Sequence, residues 1–116
     1  MSERERRLGI NEGVYREVNE RLEELADKTG FSDWGSLDLV CECGRADCAE
    51  RIELSREAYE AVRADPTQFV VVPGHELPDV EHVVDRRGDY VVVKKKEGDA
   101  ADAARSTDPR SDDPSV

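Results

Sequence analysis

Three cysteines fall within eight residues, Cys41-Glu42-Cys43-Gly44-Arg45-Ala46-Asp47-Cys48, in the pattern C-x-C-x4-C. Thiolates are soft donors, and several gathered around a glycine turn suit a soft metal in tetrahedral coordination, most commonly zinc. An odd cysteine count is a poor basis for a disulfide framework. The spacing also departs from the paired C-x2-C of zinc fingers, so it points to a metal without matching a finger template. Three sulfurs leave one position to fill, and the chain has two histidines, His75 and His82. His75 follows Pro73-Gly74 at the end of an apolar run, where a rigid turn can aim a side chain backwards; it is the preferred ligand. His82 lies in an alternating strand pattern that suits a half-buried strand histidine. Water or a carboxylate, Asp47 or Glu42, is the remaining alternative. The expected site is Cys41, Cys43, Cys48 and His75 around one Zn2+ per chain, saturated and therefore structural.

Catalysis has little to stand on. No H-E-x-x-H occurs, His75-Glu76 is not the H-x-E of zinc deaminases, and no glycine-rich phosphate loop or Ser/His/Asp set can be assembled. No catalytic residue is therefore assigned. A zinc hydrolase would require His75 to stay off the metal, leaving water there with Glu76 as base. A thiol-based redox or zinc sensor is the stronger alternative, because Arg45 beside the C-x-C pair favours thiolate.

The elements that must hold these residues come from a lean composition. The 116 residues are 37% hydrophobic and 39% charged, with a net charge of −11 and a mean hydropathy of −0.74. The length supports one domain. No apolar run reaches the roughly 18–20 residues of a membrane span. A pI near 4.6 argues against phosphate binding, although Arg86, Arg87, Lys94, Lys95 and Lys96 gather around the last hairpin as a local basic patch. The first seven residues lack the apolar stretch of a secretory signal, so the expected location is cytoplasmic.

Asn11 reads as the N-cap of a helix ending at Gly30, with Tyr15, Val18, Leu22 and Leu25 as its inward apolar stripe. Residues 31–35, including Trp34, form a turn-rich link. A strand over 37–43 places Leu39, Cys41 and Cys43 on one face and Asp38, Val40 and Glu42 on the other. A short strand over 51–54 is followed by a helix capped by Ser55 and closed by Asp65-Pro66, with Ala58, Tyr59 and Val62 inward. Strands follow over 68–72, 80–85 and 89–95, the last two joined by a hairpin through Arg86-Arg87-Gly88. The Arg87-Gly88-Asp89 tripeptide is read as hairpin chemistry. The order α-β-β-α-β-β-β predicts an α+β fold with a small, largely antiparallel sheet.

Residues 97–116 carry six acids and two bases, with nothing apolar larger than alanine except Val116 and two prolines. This stretch is expected to be a disordered acidic tail, and residues 1–10 a disordered N-terminus. That leaves a single zinc-binding α+β domain over 11–96, small enough that a metal staple would matter.

The cysteine segment Leu39-Val40-Cys41-Glu42-Cys43-Gly44, the run Cys48-Ala49-Glu50-Arg51-Ile52-Glu53-Leu54 and the run Phe69-Val70-Val71-Val72-Pro73-Gly74-His75-Glu76 together resemble a family of small uncharacterised proteins of high-GC bacteria. The resemblance covers about residues 11–95 and extends to Ala58-Tyr59-Glu60-Ala61-Val62-Arg63. It implies that the Pro-Gly-His-Glu motif accompanies the cysteine motif, and hence that Cys41, Cys43, Cys48 and His75 act together. It supplies no activity. The functional expectation is a non-catalytic, zinc-stapled protein-interaction or regulatory module, with an unidentified protein partner or a homodimer through the N-terminal helix.

Overall fold

The computed structural model describes residues 2–30 and 36–110, so the expected link over 31–35 and the end of the tail lie outside the described residues. Helix α1 (Glu3–Thr29) is followed by strands β1 (Leu37–Val40) and β2 (Arg51–Leu54) and helix α2 (Arg56–Arg63). Strands β3 (Gln68–Val71), β4 (Glu81–Arg86) and β5 (Val91–Lys95) and helix α3 (Asp99–Ser106) complete the chain. The α+β class stands. The strands form two antiparallel sheets, β1-β2 and β3-β5-β4. In the β4-β5 hairpin, Gly88 takes the left-handed conformation of the turn.

The apolar core lies where the two sheets meet α2. Leu37, Leu39, Ile52 and Leu54 come from the first sheet, Phe69, Val71, Val91 and Val93 from the second, and Tyr59 from α2; none exposes more than 3% of its surface. Alternation along β1 places Leu37 and Leu39 inward as expected. The strand pairing ends at Val40, however, and Glu42 is fully buried instead of facing out. Ser55 caps α2 by accepting from the Ala58 amide.

Helix α1 departs from expectation in three ways. It starts at Ser2, whose side chain accepts from the Glu5 amide, with Glu3 and Glu5 near its positive end. Residues 3–10 are therefore helical, and Asn11 lies inside the helix instead of capping it. Its inward face is also largely polar: of the expected stripe, Leu22 packs against the core and Tyr15 is half-buried, but the other two point out. Val18 and Leu25 are exposed, together with Ile10 and Val14, while Glu12, Arg16, Asn19, Glu20 and Glu23 are buried. Burying a charged face is costly unless its groups are paired, and most of the charges here have partners. The Arg16 guanidinium donates to the carbonyls of Pro66 and Ala104, at 2.6 Å each, and stacks 4.4 Å from the Phe69 ring centre. Lys95 bridges Glu12 and Glu81 at 2.6 Å each. Arg63 holds Glu20 and Asp108.

The same matching overturns disorder for most of the tail. Residues 99–106 form α3, with Ala101 and Ala104 buried. Arg110 reaches Glu20 at 2.6 Å, Glu23 at 3.1 Å and Glu60. Alanine contributes little apolar area, but it lets α3 approach α1 closely. A Cβ added at Gly13 would lie 2.9 Å from the Thr107 Cβ, so glycine is what admits that approach. The expected basic patch is dispersed too: Lys94 pairs with Asp65, Lys95 is buried, and Arg87 pairs with Asp85.

Candidate metal centre

Four side chains converge where β1, β2 and β3 run out. Cys41 and Cys43 follow β1, Cys48 precedes β2, and His75 sits in the turn after β3. Their donor atoms, Sγ for the cysteines and a ring nitrogen for the histidine, all lie within 4.8 Å of one another. The His75 Nδ1 is 3.6 Å from both the Cys41 and Cys48 sulfurs. Two donors at zinc's usual sulfur and nitrogen distances, set at a tetrahedral angle, would be about 3.6 Å apart. His82 lies elsewhere: it is exposed on β4, opposite Lys94 on β5. Asp47 is exposed, and Glu42 turns away from the cluster to other partners.

The chain holds the sulfurs from behind. The Val72 amide donates to Cys41 Sγ at 3.2 Å, and the backbones of Arg45 and Glu50 hydrogen-bond to Cys43 and Cys48. Such bonds orient and stabilise thiolate ligands. The thiols also interact with one another. Cys41 is held well above the ordinary thiol range by its hydrogen bond with Cys43 and by burial, while that same bond draws Cys43 down to about 4. Thiols this close resist ionising together, and a cation among them would relieve that repulsion. The donor set fits a soft divalent metal, and the cluster is able to hold one.

The supporting residues were not legible in the sequence. Along one side of α1, Asn11 donates to the Gly44 carbonyl at 2.9 Å and Tyr15 donates to the Arg45 carbonyl at 3.1 Å. Asn19 donates to the Val40 carbonyl and accepts from the Val40 amide. Spacing of four residues puts all three on one stripe, the only advance signal available. Glu42, between the first two cysteines, accepts from Asn19 Nδ2 at 2.7 Å and from the Val70 amide at 3.1 Å, so it ties α1 to β3. Its burial raises its pKa against the pull of those hydrogen bonds.

Gly44 makes the cysteine loop fit under α1. It adopts a φ of 81°, and a Cβ there would lie 2.8 Å from the Leu8 carbonyl oxygen and from Glu12 Cγ. Gly74, beside His75, has a φ of 95° with nothing within 4 Å of its would-be Cβ. Gly74→Ala is expected to lose only the ~1–2 kcal/mol of a left-handed L-residue. Gly44→Ala should lose that and a further ~1–3 kcal/mol of overpacking. Urea unfolding of the two variants checks the difference; equal losses would mean that α1 does not press on the loop.

No protein-family model matches the chain, and neither a curated protein nor a solved structure does. No helix among the described residues is long and apolar enough to cross a membrane.

Proposed function

We propose that Cys41, Cys43, Cys48 and His75 bind one zinc ion per chain as a structural staple, and that the protein is a non-catalytic interaction or regulatory module built around it. The observation that carries this reading is the convergence of four zinc-type donors from three separate segments. Four protein ligands saturate tetrahedral zinc and leave no place for an activated water. The ion would join the β1-β2 hairpin to the end of β3, two pieces that otherwise belong to different sheets. The motif resemblance to the small proteins of high-GC bacteria supports the same four residues. The burial of Cys41 and Cys43 favours a staple over a redox sensor, because an oxidant would reach only the partly exposed Cys48 directly. The interaction half is supported by α1, whose Ile10, Val14, Val18 and Leu25 leave an apolar strip on its outer face.

Elemental analysis of the purified protein is expected to give close to one zinc per chain. His75→Ala should weaken zinc retention in a chelator competition by more than the ~10–100-fold typical of losing an outer partner, whereas His82→Ala should leave it unchanged. Metal-free protein, or equal effects of the two histidines, would overturn the assignment. Sedimentation equilibrium tests a second copy as the occupant of the strip: association abolished by Val14→Lys supports it, and a monomer at every concentration removes it.

A further inference from the structure

A second feature lies on the α1–α3 side of the molecule, and none of the four cluster residues lines it. A cavity of about 450 Å³ opens between the first turns of α1, the 77–80 loop and α3, within the size range of small-molecule sites. Part of its wall is apolar, from Leu8, Leu77, Val80 and Ala103 among others. Its inner end is polar. Lys95, only 3% exposed, donates to Glu12 Oε2 and Glu81 Oε1 at 2.6 Å each, and its ammonium lies 5.4 Å from the Phe69 ring centre. The other oxygen of Glu81 accepts from the Leu77 amide at 2.9 Å. Two of the three lysine N–H donors are therefore given to carboxylates, and both oxygens of Glu81 accept a hydrogen bond. Glu12 differs: it lines the cavity while 5% exposed, and among the described residues only its Oε2 accepts a hydrogen bond, leaving Oε1 without one.

This arrangement selects by charge. An anion entering the cavity would find Lys95 already committed to two carboxylates and would face the free oxygen of Glu12. At the mouth, Glu5 and Asp79 outnumber Arg4. A cation would meet the reverse: an acceptor at the inner end, acids at the entrance and a partly apolar wall between. We propose that the cavity binds a small primary ammonium with an apolar body, its nitrogen donating to Glu12 Oε1 and its carbon chain lying among Leu8, Leu77, Val80 and Ala103.

The test uses three probes with the same six-carbon body, hexylamine, hexanol and hexanoate, titrated into the full-length 15N-labelled protein. Hexylamine is expected to give saturable amide shifts at Gly9, Val80 and Ala103 with none at Gly88. Its affinity should exceed those of hexanol and hexanoate at least tenfold. Ala103→Leu, which fills the cavity from a partly exposed position on α3, should abolish the shifts while the rest of the spectrum stays in place. Glu12→Gln should reduce the preference for hexylamine over hexanol to within about twofold. The proposal is overturned if no probe gives saturable shifts, if hexanol or hexanoate binds as tightly as hexylamine, or if binding survives Ala103→Leu.

Discussion

Stripped of metal by a strong chelator, the protein is expected to lose its cooperative melting transition and to regain it when zinc is returned. The two-stranded β1-β2 sheet has few means of standing alone, because an isolated two-stranded pair is marginal in water. It is held to the three-stranded sheet by the buried Leu37–Leu39 face, by the Glu42 amide donating to the Val70 carbonyl, and by the Cys41–Cys43–Cys48–His75 cluster. Small structural zinc sites bind with an apparent ~10–16 kcal/mol, against a total stability of about 5–15 kcal/mol for an ordinary domain. Removal of a zinc ion bound on that scale would withdraw as much free energy as the fold has to lose. The hydrogen bonds to the sulfurs would turn from support into liability, since they favour thiolates that then repel one another. Cys48→Ser should reproduce the loss, with circular dichroism and differential scanning calorimetry as the readouts. A melting temperature that chelator leaves unmoved would show that the apolar core alone holds the two sheets.

Lys95→Met should destabilise the protein by about 3–5 kcal/mol at pH 8, the scale on which losing one partner leaves a buried charge uncompensated. The ammonium lies between Glu12 and Glu81, all three almost wholly buried. The pH dependence identifies the cause. Burial raises the Glu12 pKa from 4.5 to about 7, and Lys95 is the main group opposing that rise. A carboxyl raised in the folded state keeps a proton that the unfolded chain has released. Its contribution is thus greatest at low pH and falls as pH rises from about 4.5 through 7. Without Lys95 the folded pKa climbs further and the window of loss extends above 7. The deficit relative to wild type should shrink at pH 6 and widen at pH 8. Urea unfolding of both chains under saturating zinc measures this and keeps proton competition at the thiolates common to both. Adding Glu12→Gln to Lys95→Met should recover more than half the loss at pH 8. A deficit that does not vary with pH would assign the effect to packing instead of charge.

The site was more legible in the sequence than the scaffold that holds it. Three thiols in eight residues and a histidine after Pro-Gly are chemical signals that owe nothing to neighbours, and the structure brings all four together. The strands also followed their patterns to within about two residues, apart from β1, which ends at Val40 where 43 was expected, because alternation and turn residues are local. Helix α1 ends at Gly30 and packs Leu22 inward as expected, but Val18 and Leu25 were misplaced because periodicity assumes that the apolar side faces in. Here Arg16, Glu20 and Glu12 face in, each met by a partner far along the chain, and no local rule encodes Arg16 meeting Ala104 or Glu20 meeting Arg110. Helix α3 was missed for a related reason. A segment of alanines and acids looks unable to bury area, yet Ala101 and Ala104 are inside because glycine on α1 and small residues on α3 let the backbones approach. Glu42 looked like an outward strand residue, and only the end of strand pairing at Val40 turns it inward.

The partners of the buried face of α1 have a consequence for how the chain is made. Glu12 waits for Lys95, 83 residues later, and Arg16 for Thr107, 91 residues later. At ordinary translation speeds of about 5–20 residues per second, these two contacts wait ~4–18 s for their partners, long after Asn19 can meet Val40, 21 residues on. An apolar face left open that long would be prone to wrong collapse. A face of glutamates, arginine and asparagine is at ease in water and commits only when charges of the right sign and position arrive. Residues far along the chain thus complete the seating of a helix made much earlier, and a chain cut short before Lys95 would leave Glu12 without its cation.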